Sequence, residues 1–296
     1  MNLNNKSGMY IGHILALCTV VVWGTTFITT KILLVDFVPT EIAMFRFILA
    51  FVFLNIIKPK RLHIKDFKKE LVFAGAGLAG ITLYFQTENL ALTYTTAANV
   101  GVIISAVPFF TAIVSKIFFG GKNLTKNFVI GFVVAIIGVF AISYNGASEL
   151  SLNPIGDLLT IAAAITWAFY CNFVNKIGQW NYPTIQVTRR IFFYGILFML
   201  PITFFGDFSW DITRLSENGA WLNILYLGIV ASGIGYATWN FAVNKIGTIK
   251  TSVYLYFSPV VTIIASAIIL QEPMNFVTFL GAGLTTLGLI ISAREK

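Results

Sequence analysis

Long apolar runs, separated by short polar or proline-bearing breaks, set the rhythm of this chain. Ten stretches approach the roughly 20 mostly apolar residues a helix needs to cross hydrocarbon. They cover about 9–35, 41–57, 71–92, 96–119, 127–144, 155–176, 184–205, 220–243, 249–270 and 275–293. Val38-Pro39, Lys58-Pro59, Asn153-Pro154, Tyr182-Pro183 and Glu272-Pro273 supply breaker chemistry between most of them. The pattern predicts an all-α integral membrane protein of ten transmembrane helices. The first run follows a single lysine and has a counterpart at 155–176, so it reads as a retained helix and not as a cleaved leader.

The runs repeat. A shift of 144 residues lays Trp23 on Trp167, Pro39 on Pro183 and Arg46 on Arg190. Further along the offset becomes 150 to 151, so that Asn89 meets Asn240, Ala91 meets Ala242, Pro108 meets Pro259, Gly131 meets Gly281 and Gly138 meets Gly288. Loops of different length account for such a drift. Two five-helix units follow, 1–146 and 147–296. An odd number of helices per unit makes the second cross the membrane in the opposite sense. Inverted repeats around a midplane cavity are the architecture of alternating-access carriers, which makes transport the leading expectation.

Composition narrows the class. The chain is 57% hydrophobic and 11% charged, with a mean hydropathy of +0.82, which no soluble domain could bury. Its net charge of +8 lacks the aromatic interleaving of a nucleic-acid surface, so no nucleic-acid partner is expected. The charge follows topology instead. With the N-terminus inside, inner loops and helix ends collect Lys and Arg from Lys6, through Lys58, Lys60, Arg61, Lys65, Lys68 and Lys69, to Arg294 and Lys296. The outer loops hold Arg214 alone, beside Asp36, Glu149, Asp207, Asp211, Glu217 and Glu272. Both termini are therefore expected in the cytoplasm, in a multi-pass cell-membrane protein. Cys18 and Cys171 lie in apolar runs and read as small core residues. With His13 and His63 the only histidines, no HExxH, nucleophile elbow or P-loop is present. Neither enzyme chemistry nor a metal or cofactor is expected.

Small residues mark packing seams. Gly131 and Gly138 with Gly281 and Gly288 make the fifth and tenth helices elements that clasp the halves, a dimer face being the alternative. Ala74, Gly75, Gly77 and Gly80 play the same part in the third helix, and Gly228, Gly233 and Gly235 in the eighth. The matched Pro108 and Pro259 each remove a backbone hydrogen bond and bend the fourth and ninth helices. Their symmetry favours a hinge beside the cavity over a kink that only improves packing.

Charges inside apolar runs are functional suspects. Arg46 lies about 9 Å inside the second helix from Thr40, and Arg190 lies at similar depth from the opposite face. One arginine under each mouth suggests gating or helix pairing; snorkelling to the headgroups suits Arg189, Lys31 and Lys116. Glu88 shares a helix face with Tyr84 at i, i+4. It could bind an amino group or carry a proton, but a salt bridge to Arg46 or Lys31 is the favoured reading. Around the expected cavity, aromatic and polar side chains recur: Trp23, Phe27, Tyr84, Glu88, Asn99, Trp167, Tyr170, Tyr236, Trp239, Asn240 and Tyr256. Such walls suit small organic molecules and ammonium groups. An interfacial belt that binds nothing is the alternative, and it fits Tyr10, Tyr144 and Trp221.

Several segments carry a family likeness: Trp23-Gly24-Thr25-Thr26-Phe27, Phe45-Arg46-Phe47, Glu88-Asn89-Leu90-Ala91-Leu92 and Thr95-Thr96-Ala97-Ala98. The run from Tyr254 through Pro259 to Thr262, and Gln271-Glu272-Pro273, add to it. Across almost its whole length the chain resembles the ten-helix EamA-type family of the drug/metabolite transporter superfamily. The resemblance implies a duplicated five-helix unit with a central cavity lined from both halves, and export of small metabolites, amino acids among them, from bacteria. One departure stands out: Gly120-Gly121-Lys122 occupies the place where such proteins often carry an acid like Glu272. The expected activity is outward movement of a small organic metabolite, an amino acid or amine, across the cytoplasmic membrane. A lipid-handling protein such as a scramblase or flippase is the alternative, and would show a hydrophilic groove facing lipid. The expected partners are the small-molecule substrate and the bilayer, and a monomer is compatible with the sequence.

Overall fold

The computed structural model describes residues 3–95, 97–121, 124–146, 153–205, 208–209, 211–269 and 276–293. Ten helices run through them: α1 Leu3–Leu33, α2 Pro39–Ile57, α3 67–94, α4 97–118, α5 Lys126–Gly146, α6 Pro154–Gly178, α7 Thr184–Phe205, α8 Ala220–Ile246, α9 248–269 and α10 Phe276–Ala293. At 1.5 Å per residue, the 31 residues of α1 reach about 46 Å, more than the ~30 Å of hydrocarbon. Large apolar side chains such as Ile56, Leu158, Phe205 and Ile268 point outward, as a lipid-facing surface requires. The protein is an all-α membrane protein of two inverted five-helix repeats around a central cavity. The unit boundary expected at 146/147 adjoins 147–152, which lie outside the described residues.

Helix contacts come in image pairs. α1 packs on α8 as α6 packs on α3, α1 on α9 as α6 on α4, and α2 on α8 as α7 on α3. α2 with α7, and α5 with α10, are their own images. The α5–α10 seam is closed by glycine. A Cβ on Gly138 would sit 2.6 Å from Gly281 O, and one on Gly288 would sit 2.5 Å from Gly131 O, so the two backbones touch.

Four interruptions obey the same symmetry. α3 widens into a π turn at Leu78–Leu83 and α8 at Tyr226–Ile234. Between Ile104 and Val107, α4 breaks at Ser105 and Ala106, while α9 tightens to a 3-10 turn over Tyr254–Phe257. Proline explains the second pair. Pro108 cannot donate to the carbonyl of Ile104, nor Pro259 to that of Leu255, so each helix loses a rung four residues back.

Candidate functional site

The cavity lies where α1, α2, α3, α4, α6, α8 and α9 meet, at the axis relating the halves. Trp23, Thr26, Phe27, Arg46, Tyr84, Phe85, Glu88, Ile104, Trp167, Tyr236, Leu255 and Ser258 line it. Its volume is about 40 Å³, room for roughly three waters.

Trp23 and Trp167, images of each other in the repeat, meet edge to face at 5.2 Å between ring centroids. Tyr84 approaches Trp167 at 4.8 Å and Tyr236 approaches Trp23 at 5.6 Å, completing an aromatic box. Each such pair contributes about 0.5–1.5 kcal/mol beyond burial. The π turns hold the box. Trp23 Nε1 donates to Ala231 O at 2.8 Å, and Tyr236 OH donates to Gly80 O at 3.0 Å. Gly80 and Ala231 are 151 residues apart, matched positions in the two π turns. Gly235 makes room for the first anchor, since a Cβ there would lie 2.8 Å from Trp23 Nε1.

Two ionisable groups share the wall. Tyr84 OH donates to Glu88 Oε1 at 2.7 Å, one helical turn away on the same face. Arg46 is 2% exposed, donates Nε to Ser232 Oγ at 2.9 Å and lies 4.4 Å over the Phe85 ring. No carboxylate comes within 4.0 Å of Arg46 among the described residues. The salt bridge expected between Glu88 and Arg46 or Lys31 is therefore not formed. The i, i+4 geometry turns Glu88 to Tyr84, and Lys31 spends its ammonium on Leu92 O at 2.7 Å. Trp167 Nε1 is buried with no hydrogen-bond partner, a donor that a guest in the cavity could satisfy.

Of the predicted wall residues, Trp23, Phe27, Tyr84, Glu88, Trp167 and Tyr236 line the cavity. Tyr170, Trp239 and Asn240 do not; they form the layer behind. Tyr170 OH donates to Asn240 Oδ1 at 2.6 Å and Asn240 Nδ2 to Thr188 Oγ1 at 2.9 Å, which fixes that layer. Tyr256 is fully buried against Ala112, Phe128 and Ala135 instead. In a 3-10 turn residues i and i+3 eclipse, so Leu255 and Ser258 share the cavity face and Tyr256 turns away. The side chain of Asn99 lies outside the described residues. Pro108 and Pro259 stand just beyond the interruptions, without lining the cavity. Sequence reasoning missed Ile104 and Leu255, although each is the residue four before a matched proline. It missed Thr26, Phe85 and Ser258 as well, which carry no such signal.

Each face carries a tie between the halves. On the lysine-rich side, Arg190 of α7 pairs with Glu70 of α3, Nε to Oε1 at 2.8 Å, and Tyr194 OH donates to the same oxygen. Arg189 alongside donates to Lys58 O, and to Lys60 O at 2.7 Å, in the α2–α3 loop. On the opposite side Arg214, in the α7–α8 segment, pairs with Glu41 of α2 and donates to Asp36 O at 2.9 Å. Glu41 also accepts Val38 N–H at 2.8 Å and Ser209 N–H at 2.9 Å. Arg190 thus belongs to one tie, whereas Arg46 belongs to the cavity.

The model of the EamA-like transporter family matches the chain twice, over residues 10–144 and 154–294. An uncharacterized transporter of Archaeoglobus fulgidus is 32% identical, the match spanning 94% of this chain and 97% of that protein. A probable amino-acid metabolite efflux pump of Escherichia coli (strain K12) is 26% identical over 94% of this chain and 93% of its own length. A solved crystal structure superposes with a TM-score of 0.73 at 18% identity, covering 97% of this chain and 96% of that one, and so shares the fold.

Proposed function

The chain belongs to the EamA-like transporter family, and we propose that it exports a small zwitterionic metabolite of the amino-acid class across the cell membrane by alternating access. One observation carries the reading: the guanidinium of Arg46 and the carboxyl group of Glu88, not paired with each other, share the wall of one aromatic cavity between the halves. The guanidinium offers a planar fork to a carboxylate. Glu88, with the rings of Tyr84 and Trp167 beside it, offers an acceptor and π faces to an ammonium group. The Escherichia coli relative's description as a probable amino-acid metabolite efflux pump supports the same class and direction.

At about 40 Å³ the cavity must expand before it admits such a molecule. Separation of the halves at one face enlarges it, and the ties at Glu70 and Glu41 then alternate. The lysine-rich face is taken as cytoplasmic, with both termini on it, because basic loops stay inside. The units 1–146 and 147–296 rock about the cavity, and the glycine seam of α5 and α10 moves least.

Flux measurements on the purified chain in proteoliposomes test the proposal, with a panel of amino acids, amines, sugars and nucleobases and a parallel lipid-scrambling assay. Saturable counterflow of one or more amino acids is expected, with no scrambling above empty vesicles. Rapid lipid flipping without uptake of any solute would overturn it.

A further inference from the structure

A second space lies outside the box. It measures about 440 Å³, more than ten times the central cavity, and its lining includes Leu15 of α1, Lys58 at the end of α2, Thr184 of α7, and Ala237 and Phe241 of α8. None of its lining residues is buried, so it is an open cleft. The helical turn of 100° per residue decides what it opens to. Tyr236, Trp239 and Asn240 point one way along α8, into the box and the layer behind it. Ala237, Thr238 and Phe241 point the other way, to the side of α8 that adjoins α1, where Thr238 Oγ1 meets Thr19 Oγ1 at 2.7 Å. The cleft is therefore not a vestibule of the central cavity.

Its walls are apolar over most of their length, and its charge sits at one end. Lys58 lies at the mouth, and Lys245 stands one turn beyond Phe241 with Nζ 5.6 Å from that ring. Both lysines are exposed, and neither is in an ion pair among the described residues. From Lys245 to Ala237 is eight residues, about 12 Å along the helix, which is close to one leaflet of a ~30 Å hydrocarbon layer. An amphiphile with a negative head and an apolar tail matches this cleft in length, polarity and charge.

We propose that the cleft between α1, α8 and the adjoining ends of α2 and α7 holds one anionic phospholipid, its acyl chain along Leu15, Ala237 and Phe241 and its phosphate at Lys58 and Lys245. The site is separate from the exporter cavity, and only its assignment to the inner leaflet rests on the orientation proposed above. Basic residues at the cytoplasmic edge of a membrane helix attract anionic headgroups by roughly fivefold each.

Native mass spectrometry of the full chain tests this, with dioleoyl phosphatidylglycerol or dioleoyl phosphatidylcholine titrated into the detergent-solubilised protein. One phosphatidylglycerol should be retained in preference to phosphatidylcholine. Ala237→Phe, or the milder Ala237→Leu if the first fails to fold, should abolish that retention by filling the cleft. Lys58→Gln and Lys245→Gln should each lower the phosphatidylglycerol preference about fivefold and leave phosphatidylcholine unchanged. Equal retention of both lipids, or retention indifferent to the filled cleft, overturns the assignment. Displacement of the lipid by a transported solute overturns it as well, by making the cleft an access portal. Flux in proteoliposomes is read separately. Lipid retention without flux defeats only the exporter, and flux without retention defeats only the lipid site.

Discussion

Replacing Glu41 by glutamine should loosen the face opposite the lysines and leave the other closed. The carboxylate is 1% exposed; it takes two backbone N–H groups, from Val38 at 2.8 Å and Ser209 at 2.9 Å, and the guanidinium of Arg214. Glutamine keeps one acceptor oxygen but loses the charge, and it turns an N–H donor towards Val38. A hydrogen bond to a charged group contributes about 1.5–3 kcal/mol against 0.5–1.5 for a neutral one. Arg214 is 26% exposed, so its share is discounted for solvent screening. The two effects together come to about 2 kcal/mol, or about 30-fold in a two-state equilibrium. The readout is Ser258→Cys on the cavity wall, with exposed Cys18 replaced by serine and Cys171 shielded in the core. A membrane-impermeant thiol reagent added outside right-side-out vesicles should modify it at least tenfold faster in Glu41→Gln. Glu70→Gln should act in the opposite sense, raising modification from the inside. An unchanged outside rate in Glu41→Gln, or an increase in both variants from the same side, would refute the idea of two opposed ties.

The site and the seam make further predictions. Arg46→Gln should cut flux of carboxylate-bearing solutes at least tenfold while simple amines still bind, and Glu88→Gln should do the reverse; a panel of paired solutes in the flux assay checks both. Gly235→Ala puts a methyl 2.8 Å from Trp23 Nε1 and should break its bond to Ala231 O, seen as a shifted tryptophan emission and a weakened substrate affinity. Gly138→Leu must push α5 and α10 apart by roughly 1 Å, a cost of about 1–3 kcal/mol, so the unfolding midpoint should fall by roughly 5 °C. A midpoint equal to that of the unmodified chain would show that the seam is not tightly packed.

Much of the architecture is legible in the chain because hydrophobic length and repetition are properties of many residues at once. Ten apolar runs and the pairs Trp23/Trp167 and Pro108/Pro259 are enough to give ten helices in two opposed units. Local spacing also serves: four apart, Tyr84 and Glu88 share one helix face, and their hydrogen bond forms there, although the sequence favours Arg46 or Lys31 as the partner of Glu88. What escapes is whatever depends on a change of helical register. Tyr256 is expected on the cavity wall for its aromatic ring alone; through the 3-10 turn over Tyr254–Phe257 the wall takes Leu255 and Ser258 instead. Depth behind a wall is equally hidden, since Tyr170, Trp239 and Asn240 stand on helices that line the box but in its second layer. The tie of Glu41 to Arg214 joins groups 173 residues apart through a loop, where no periodicity operates.

Each half of this protein carries an aromatic pillar that is fastened to the other half: Trp23 hangs from the widened turn of α8, and Tyr236 from that of α3. Such reciprocal fastening means that neither bundle can shift alone without dragging a piece of its partner's floor. The shape of the chamber and the position of the bundles then become a single mechanical variable. Opening the bundles parts the pillars, and a guest that then settles between them holds both apart, so that occupancy props the door that admitted it.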